Sequence, residues 1–317
     1  MFRLAALTLL VISLPAQIPS VQDEELARAA KNPYDLARFI DSHLGFDWNV
    51  LWKALGIQPL FIQPCGKLSN GRKHCSTELI TVLDPDQMIL VVQGDATPAD
   101  IYLRFLQEKP GGWRFAGADW VAIHNHPRRH EVDRSTGKPF LRVSSQGDRG
   151  SDVDSEIEDW FDLTQPGFEP VFSFPVQGYQ QRFGFGISRR IVGSISAKKN
   201  LINVVLDVHF EGSDNNGKYD LGTTVYSAVY TQARGAKFSL QSVGAWLSGQ
   251  TKISPAEFEA LADLDQGPSD EDLIRYNMSR LSEIASSRDS ATKRWLKQLL
   301  TSVKDTPEVR ELKSLLR

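Results

Sequence analysis

Only two cysteines occur in 317 residues, so neither a disulfide-rich scaffold nor a four-cysteine zinc site can be built. An excess of one charge sign is missing as well. Lys and Arg total 36 against 39 Asp and Glu, a net charge of -3, which excludes a surface built to neutralise a phosphate backbone and with it general nucleic-acid binding. Beyond the N-terminal segment there is no long apolar run, which excludes a polytopic membrane protein. A nucleophile elbow of the Gly-x-Ser-x-Gly kind, a Walker sequence and a His-Glu-x-x-His pair are all absent. Gly184 and Gly186 stand between phenylalanines in a strand-like stretch, not at a strand-to-helix turn, so no dinucleotide site is indicated. What is present, 41% hydrophobic and 24% charged residues, is enough to bury one large core or two modest ones.

Arg3 precedes a stretch from Leu4 to Leu14 that is apolar apart from Thr8 and Ser13, followed by Pro15 and Ala16. About eleven residues suit an export signal, whereas a spanning helix takes about twenty. The expectation is a signal over residues 1–20, cut between Ala16 and Ser20, with no membrane span after its removal and a periplasmic or secreted mature chain. Cys65 and Cys75 fit that compartment. A three-residue hairpin loop of Ser69, Asn70 and Gly71 pairs Leu68 with Arg72 and sets the two thiols opposite each other. A disulfide there contributes roughly 2 to 3 kcal/mol through the unfolded chain.

Periodicity divides the remainder at 21–250 and 251–317. From Val21 to Gly56 it is helical. Asn32-Pro33 opens one helix and Asp47 caps the next, which presents Trp48, Leu51, Trp52 and Leu55 on one face and stops at Gly56. From about Thr77 to Leu247 the period falls to two, with turns at Asp84-Pro85-Asp86, Lys109-Pro110-Gly111-Gly112 and Asp214-Asn215-Asn216-Gly217. Roughly ten antiparallel strands are implied, more than one flat sheet carries, so a curled sheet, barrel or sandwich is expected. Helical spacing returns after Gly249, with start signals at Ser254-Pro255-Ala256-Glu257, Ser269 and Thr306-Pro307. These predict three to four helices. The fold class is therefore α+β: a large antiparallel sheet flanked by an N-terminal helix pair and a C-terminal helical subdomain.

Two clusters bear on chemistry. His124, His126 and His130 fall close together, and in extended chain His124 and His126 point the same way, so they could share zinc with a carboxylate such as Glu131 or Asp133. His124-x-His126-Pro127 with Ser135 further along resembles the metal-binding motif of JAMM-type metalloproteases. Where that motif places its acidic ligand this chain has Lys138, and Pro139 to Val143 reads as a strand. The second cluster is an acidic strand. Asp152, Asp154, Glu156, Glu158 and Asp162 share one face with Trp160, while Val153, Ile157 and Phe161 take the other. Like charges at that spacing need water, a cross-strand arginine or a cation such as calcium, and Arg142, Arg149, Arg189 and Arg190 are the arginines at hand. Asp214 to Asp220 lacks the terminal Glu of a calcium loop and reads as a hairpin tip.

The stretch from Lys138 through Gly147, Gly150, Glu156, Glu158 and Trp160 to Leu163 resembles uncharacterised exported bacterial proteins. That resemblance implies export and carries no activity with it. The expected function is a non-catalytic binding or structural protein of the envelope or extracellular space, needing no cofactor, whose sheet or helical end takes a protein or small-molecule partner. The alternative is a metal-dependent hydrolase built on the three histidines.

Overall fold

The computed structural model describes residues 20–317 except 44–45, 59–74, 83–85, 95–98, 109–110, 123–128, 151, 183–184, 216, 234–235 and 246–251, together with the side chains of 148, 149 and 245. The architecture is α+β, with two antiparallel sheets of four and eight strands between two groups of helices.

Three short helices come first: α1 (Val21–Ala29), α2 (Pro33–Ser42) and α3 (Trp48–Leu55). Each starts where a side chain accepts the orphan N–H groups of its first turn. Ser20 and Asp23 form a capping box on α1, Asn32 accepts from Tyr34 and Asp35 on α2, and Asp47 accepts from Asn49 on α3. Gly56 ends α3 at φ 72°, a conformation glycine adopts without strain. Sequence spacing finds α2 and α3. The helical reading from Val21 also covers α1, but the expected pair is three helices, because the polar stretch Gln22 to Glu25 hides a stripe that buries only Leu26 and Ala29 and so marks no separate start.

The four-stranded sheet is a meander of β1 (Cys75–Thr81), β2 (Gln87–Gly94), β3 (Ala99–Glu108) and β4 (Gly112–Ala122). Its centre is covered on both sides, which is why β2 reads as an unbroken apolar run. Leu90, Val92, Ile101, Leu103 and Phe105 pack on Leu36, Ile40, Trp48 and Trp52 of the helices. On the opposite face Ile89, Val91 and Tyr102 pack on Leu141, Val143, Phe161 and Phe168 of the second sheet. The fully buried Arg104 also ties the sheets together. Its Nη1 donates to the carbonyls of Gln165 at 2.7 Å and Gly167 at 2.6 Å, and its Nη2 to that of Leu163.

The second sheet runs in chain order through β5 (His130–Asp133), β6 (Phe140–Arg149), β7 (Val153–Asp162), β8 (Pro170–Gln180), β9 (Gly186–Lys198), β10 (Leu201–Asp214), β11 (Gly217–Gln232) and β12 (Phe238–Ala245). It curls so far that its two ends converge. The rings of Phe140 on β6 and Phe238 on β12 lie 6.2 Å apart, and Lys138 reaches Gln232 Oε1 at 3.4 Å. The expected curl is real, and within it lies the largest core, where Trp160, Phe172, Ile191, Val204, Leu206, Phe210 and Tyr226 meet the C-terminal helices.

Those helices are α4 (Pro255–Ala262), α5 (Asp270–Tyr276), α6 (Met278–Ser286), α7 (Ser290–Ser302) and α8 (Pro307–Leu315). There are five because Asn277 ends α5 and starts α6 without a break in hydrophobic spacing. Trp295 of α7 lies directly over Gly212 of β10, where an added Cβ would come within 2.3 Å of the indole, and it donates from Nε1 to Ser213 O at 3.1 Å. Among the described residues no helix is long and apolar enough to cross a membrane.

Candidate functional site

The edges of the two sheets, β1 and β5, meet over a polar cleft of about 910 Å³. His130 and Glu131 of β5, Arg142 of β6, and Glu156 and Glu158 of β7 line it, with Glu78 of β1 at its rim. Arg142 is the hub. Antiparallel register sets it opposite Glu131 on one side and Trp160 on the other, so residues separated in sequence share one face. Its Nε donates to Glu158 Oε1 at 2.9 Å and its Nη2 to Glu158 Oε2 at 2.9 Å, a bidentate pair. Its Nη1 takes Glu131 at 2.8 Å and Asp133 at 3.3 Å. The guanidinium carbon stands 4.8 Å over the Trp160 ring, whose Nε1 donates to Glu158 Oε1 at 2.6 Å.

Burial alone would lower the Arg142 pKa. The Glu158 hydrogen bonds and the charges of Glu158, Glu131 and Asp133 outweigh it and hold the guanidinium above its ordinary value. Burial likewise pushes Asp133 upward, but the Ser135 N–H and hydroxyl, with Arg142, outweigh it and keep that carboxyl below its usual range. Arg142 is therefore a permanent cation already matched by three carboxylates, and it offers no open fork to an incoming anion.

A second carboxyl group lies behind the first. Asp159, next to Glu158 in β7, accepts from Ser145 Oγ at 3.0 Å and Ser173 Oγ at 2.5 Å. Burial raises its pKa, the two serines oppose that, and Glu158 adds to it. Asp119 of β4 is also raised, by burial first and then by Asp159 and Glu169 against the Trp120 N–H. A carboxyl held above its unfolded pKa stabilises the fold fully below the unfolded value and loses that contribution as pH rises through the folded one. Both groups therefore favour the sheet contact at acidic pH.

His130 is brought into the cleft. Its Nε2 lies 3.2 Å from Glu78 Oε1, and its Nδ1 3.5 Å from the Tyr102 hydroxyl. His124, His126 and Cys65 lie outside the described residues, and Cys75 opens β1 opposite Gly94. Glu131 and Asp133, the carboxylates that a zinc site on these histidines would borrow, both turn to Arg142. Among the described residues no group of three His, Cys, Asp or Glu is placed to hold a metal ion.

The acidic stripe of β7 is an inner feature of the sheet, flanked by β6 and β8, and not a solvated edge. Glu156 is buried, Glu158 is paired, and Asp162 is buried near Lys138. Of the four arginines at hand, Arg142 is the partner. Arg189 serves α4 instead, Arg190 is exposed, and the Arg149 side chain lies outside the described residues. Sequence reasoning misses the Asp119–Asp159 neighbourhood, which depends on how the two sheets pack. No family model matches the chain, and no curated protein matches it.

Proposed function

We propose that this is an exported, non-catalytic binding protein whose polar cleft takes a cationic segment of a partner, such as an extended peptide bearing Lys or Arg. One observation carries the reading. All three nitrogens of Arg142 are engaged by carboxylates, while the rim side chains of Glu131 and Glu78 keep 64% and 51% of their surface exposed. The described lining holds four glutamates against two arginines and His130, so its field favours a cation.

Titration of the full chain with a short lysine-rich peptide should give saturable binding that weakens by about tenfold between roughly 50 and 300 mM salt. Replacing Glu78 and Glu131 together with glutamine should weaken it by about tenfold again, because rim charges act mainly through long-range attraction. Equal binding of a glutamate-rich peptide, or none of the lysine-rich one, contradicts the proposal.

Export is supported by the apolar run before residue 17 and by α1 starting at Val21, just past the expected cut. A Cys65–Cys75 disulfide belongs to the same proposal, and no free cysteine occurs among the described residues. Intact mass of the exported protein should show a chain beginning after a cut between Ala16 and Ser20 and lacking two hydrogens relative to its reduced form. A full-length, reduced chain contradicts it.

A further inference from the structure

We propose that a pocket over β8, β9 and β10 is a second binding site, for a small organic anion that carries a flat ring. The pocket, about 270 Å³, is lined by Tyr179 of β8, Ser188 and Arg190 of β9, and His209 and Glu211 of β10, with Lys218 of β11 beside them. That volume lies just under the usual range for drug-sized ligands and suits a single ring with one acidic group. Antiparallel register puts Tyr179, Arg190 and His209 in one row, since Arg190 is the direct partner of both others. Direct partners point to the same side, and neighbouring strands stand about 5 Å apart. The residues next along each strand, Gln180, Arg189 and Phe210, are buried, so the row itself faces outward.

The row leaves two groups open. Among the described residues the Arg190 guanidinium is exposed and makes no hydrogen bond or ion pair. Tyr179 keeps 40% of its surface exposed, and neither its ring nor its hydroxyl has a partner among those residues. His209 Nδ1 lies 3.1 Å from Thr223 Oγ1, while its Nε2 stands 3.8 Å from Asp220 Oδ1, beyond hydrogen-bond range, and can donate elsewhere. Opposite charges are the pairing that stabilises a sheet surface, yet Arg190 is flanked by a ring and an imidazole.

Nearby carboxylates do not take its place. Glu211, the one carboxylate among the described lining residues, is held by Lys218 at 2.7 Å. Asp154, on the far side of Tyr179, accepts from Gln146 at 3.4 Å, and Asp207 lies outside the lining. Arg189 adds a buried positive charge, its donors already given to Gln180 and the carbonyls of α4. A field of this sign draws an anion. Its acidic group can take the open guanidinium in a bidentate fork and a bond from His209, while its ring lies on Tyr179 about 5 Å away.

The test is calorimetric titration of the full chain with phenyl phosphate, with inorganic phosphate and with phenol. Phenyl phosphate should bind at one site, and each of the other two at least about tenfold more weakly. Arg190→Gln should weaken phenyl phosphate by about tenfold, and Arg190→Lys by less, since lysine keeps the charge without the fork. Tyr179→Ala should bring phenyl phosphate down to the level of inorganic phosphate. Both positions are exposed, so each variant should keep the urea midpoint of the native chain. No saturable heat up to about 5 mM phenyl phosphate, equal affinity for inorganic phosphate, or an Arg190→Gln variant that binds as tightly as the native chain overturns the proposal. Neither residue lines the Arg142 cleft, so the outcome is independent of the peptide titration.

Discussion

Replacing Arg189 with alanine should cost about 3 to 5 kcal/mol of folding stability, the range for breaking a buried charged network. The residue is 2% exposed, and its guanidinium does the work of a C-cap for α4. Nη1 donates to Ala260 O at 2.9 Å and Leu261 O at 2.7 Å, Nη2 to Asp263 O, and Nε to Gln180 Oε1 at 3.2 Å. Last-turn carbonyls have no partner inside a helix and carry the negative end of its dipole, so a buried cation satisfies both needs. Burial pulls the Arg189 pKa down to about 10, with Asp263 opposing, and the side chain stays charged at neutral pH. Alanine leaves three carbonyls facing a cavity. Lysine keeps the charge but not the fork and should recover only about half of the loss. Urea denaturation gives the magnitude, and hydrogen exchange should localise the added opening to 255–264. A loss below about 1 kcal/mol contradicts this role.

Glu158→Ala should be the second most costly change, at about 2 to 4 kcal/mol, because it orphans several donors at once. Arg142 loses both arms of its bidentate pair, and Trp160 Nε1 loses its acceptor at 2.6 Å. Glu158→Gln keeps an acceptor for the indole and one for the guanidinium, so it should cost about half as much. The same order should hold for specificity. Freed Arg142 nitrogens turn the cleft toward anions, so Glu158→Ala should bind the lysine-rich peptide less well than Glu158→Gln does. No loss on denaturation in either variant would show that neither Arg142 nor Trp160 depends on the carboxylate, and equal losses in both would contradict the partial rescue by glutamine.

Local chemistry in the sequence was enough to place most elements. Asn32-Pro33, Asp47, Ser254 with Glu257, Ser269 and Thr306-Pro307 each cap the helix expected of them, since capping is decided within four residues. Alternation marked β10, where Ile202, Val204, Leu206, Val208 and Phe210 face the core while Asp207 and His209 face away. Strand β5 escaped because four residues are too few to show a period.

The site was legible only in parts. Glu156, Glu158 and Trp160 could be assigned to one face from spacing, and Arg142 named among four arginines. That Arg142 is the partner follows from the β6–β7 register, which aligns it with Trp160 and puts Glu158 within reach. Register is a property of pairing between segments, not of either segment alone. Arg104 and Arg189 were unreadable for the same reason: both look like surface charges until the carbonyls of Leu163 and Leu261 come to them through tertiary packing.

Holding a ligand and breaking a bond are separated most directly by the metal content of the purified full chain. A binding cleft predicts well below one zinc per chain after gel filtration, about 0.1 or less, unchanged in a His124→Ala, His126→Ala double variant. One zinc per chain, lost in that variant, contradicts the metal-free binding reading and favours the hydrolase.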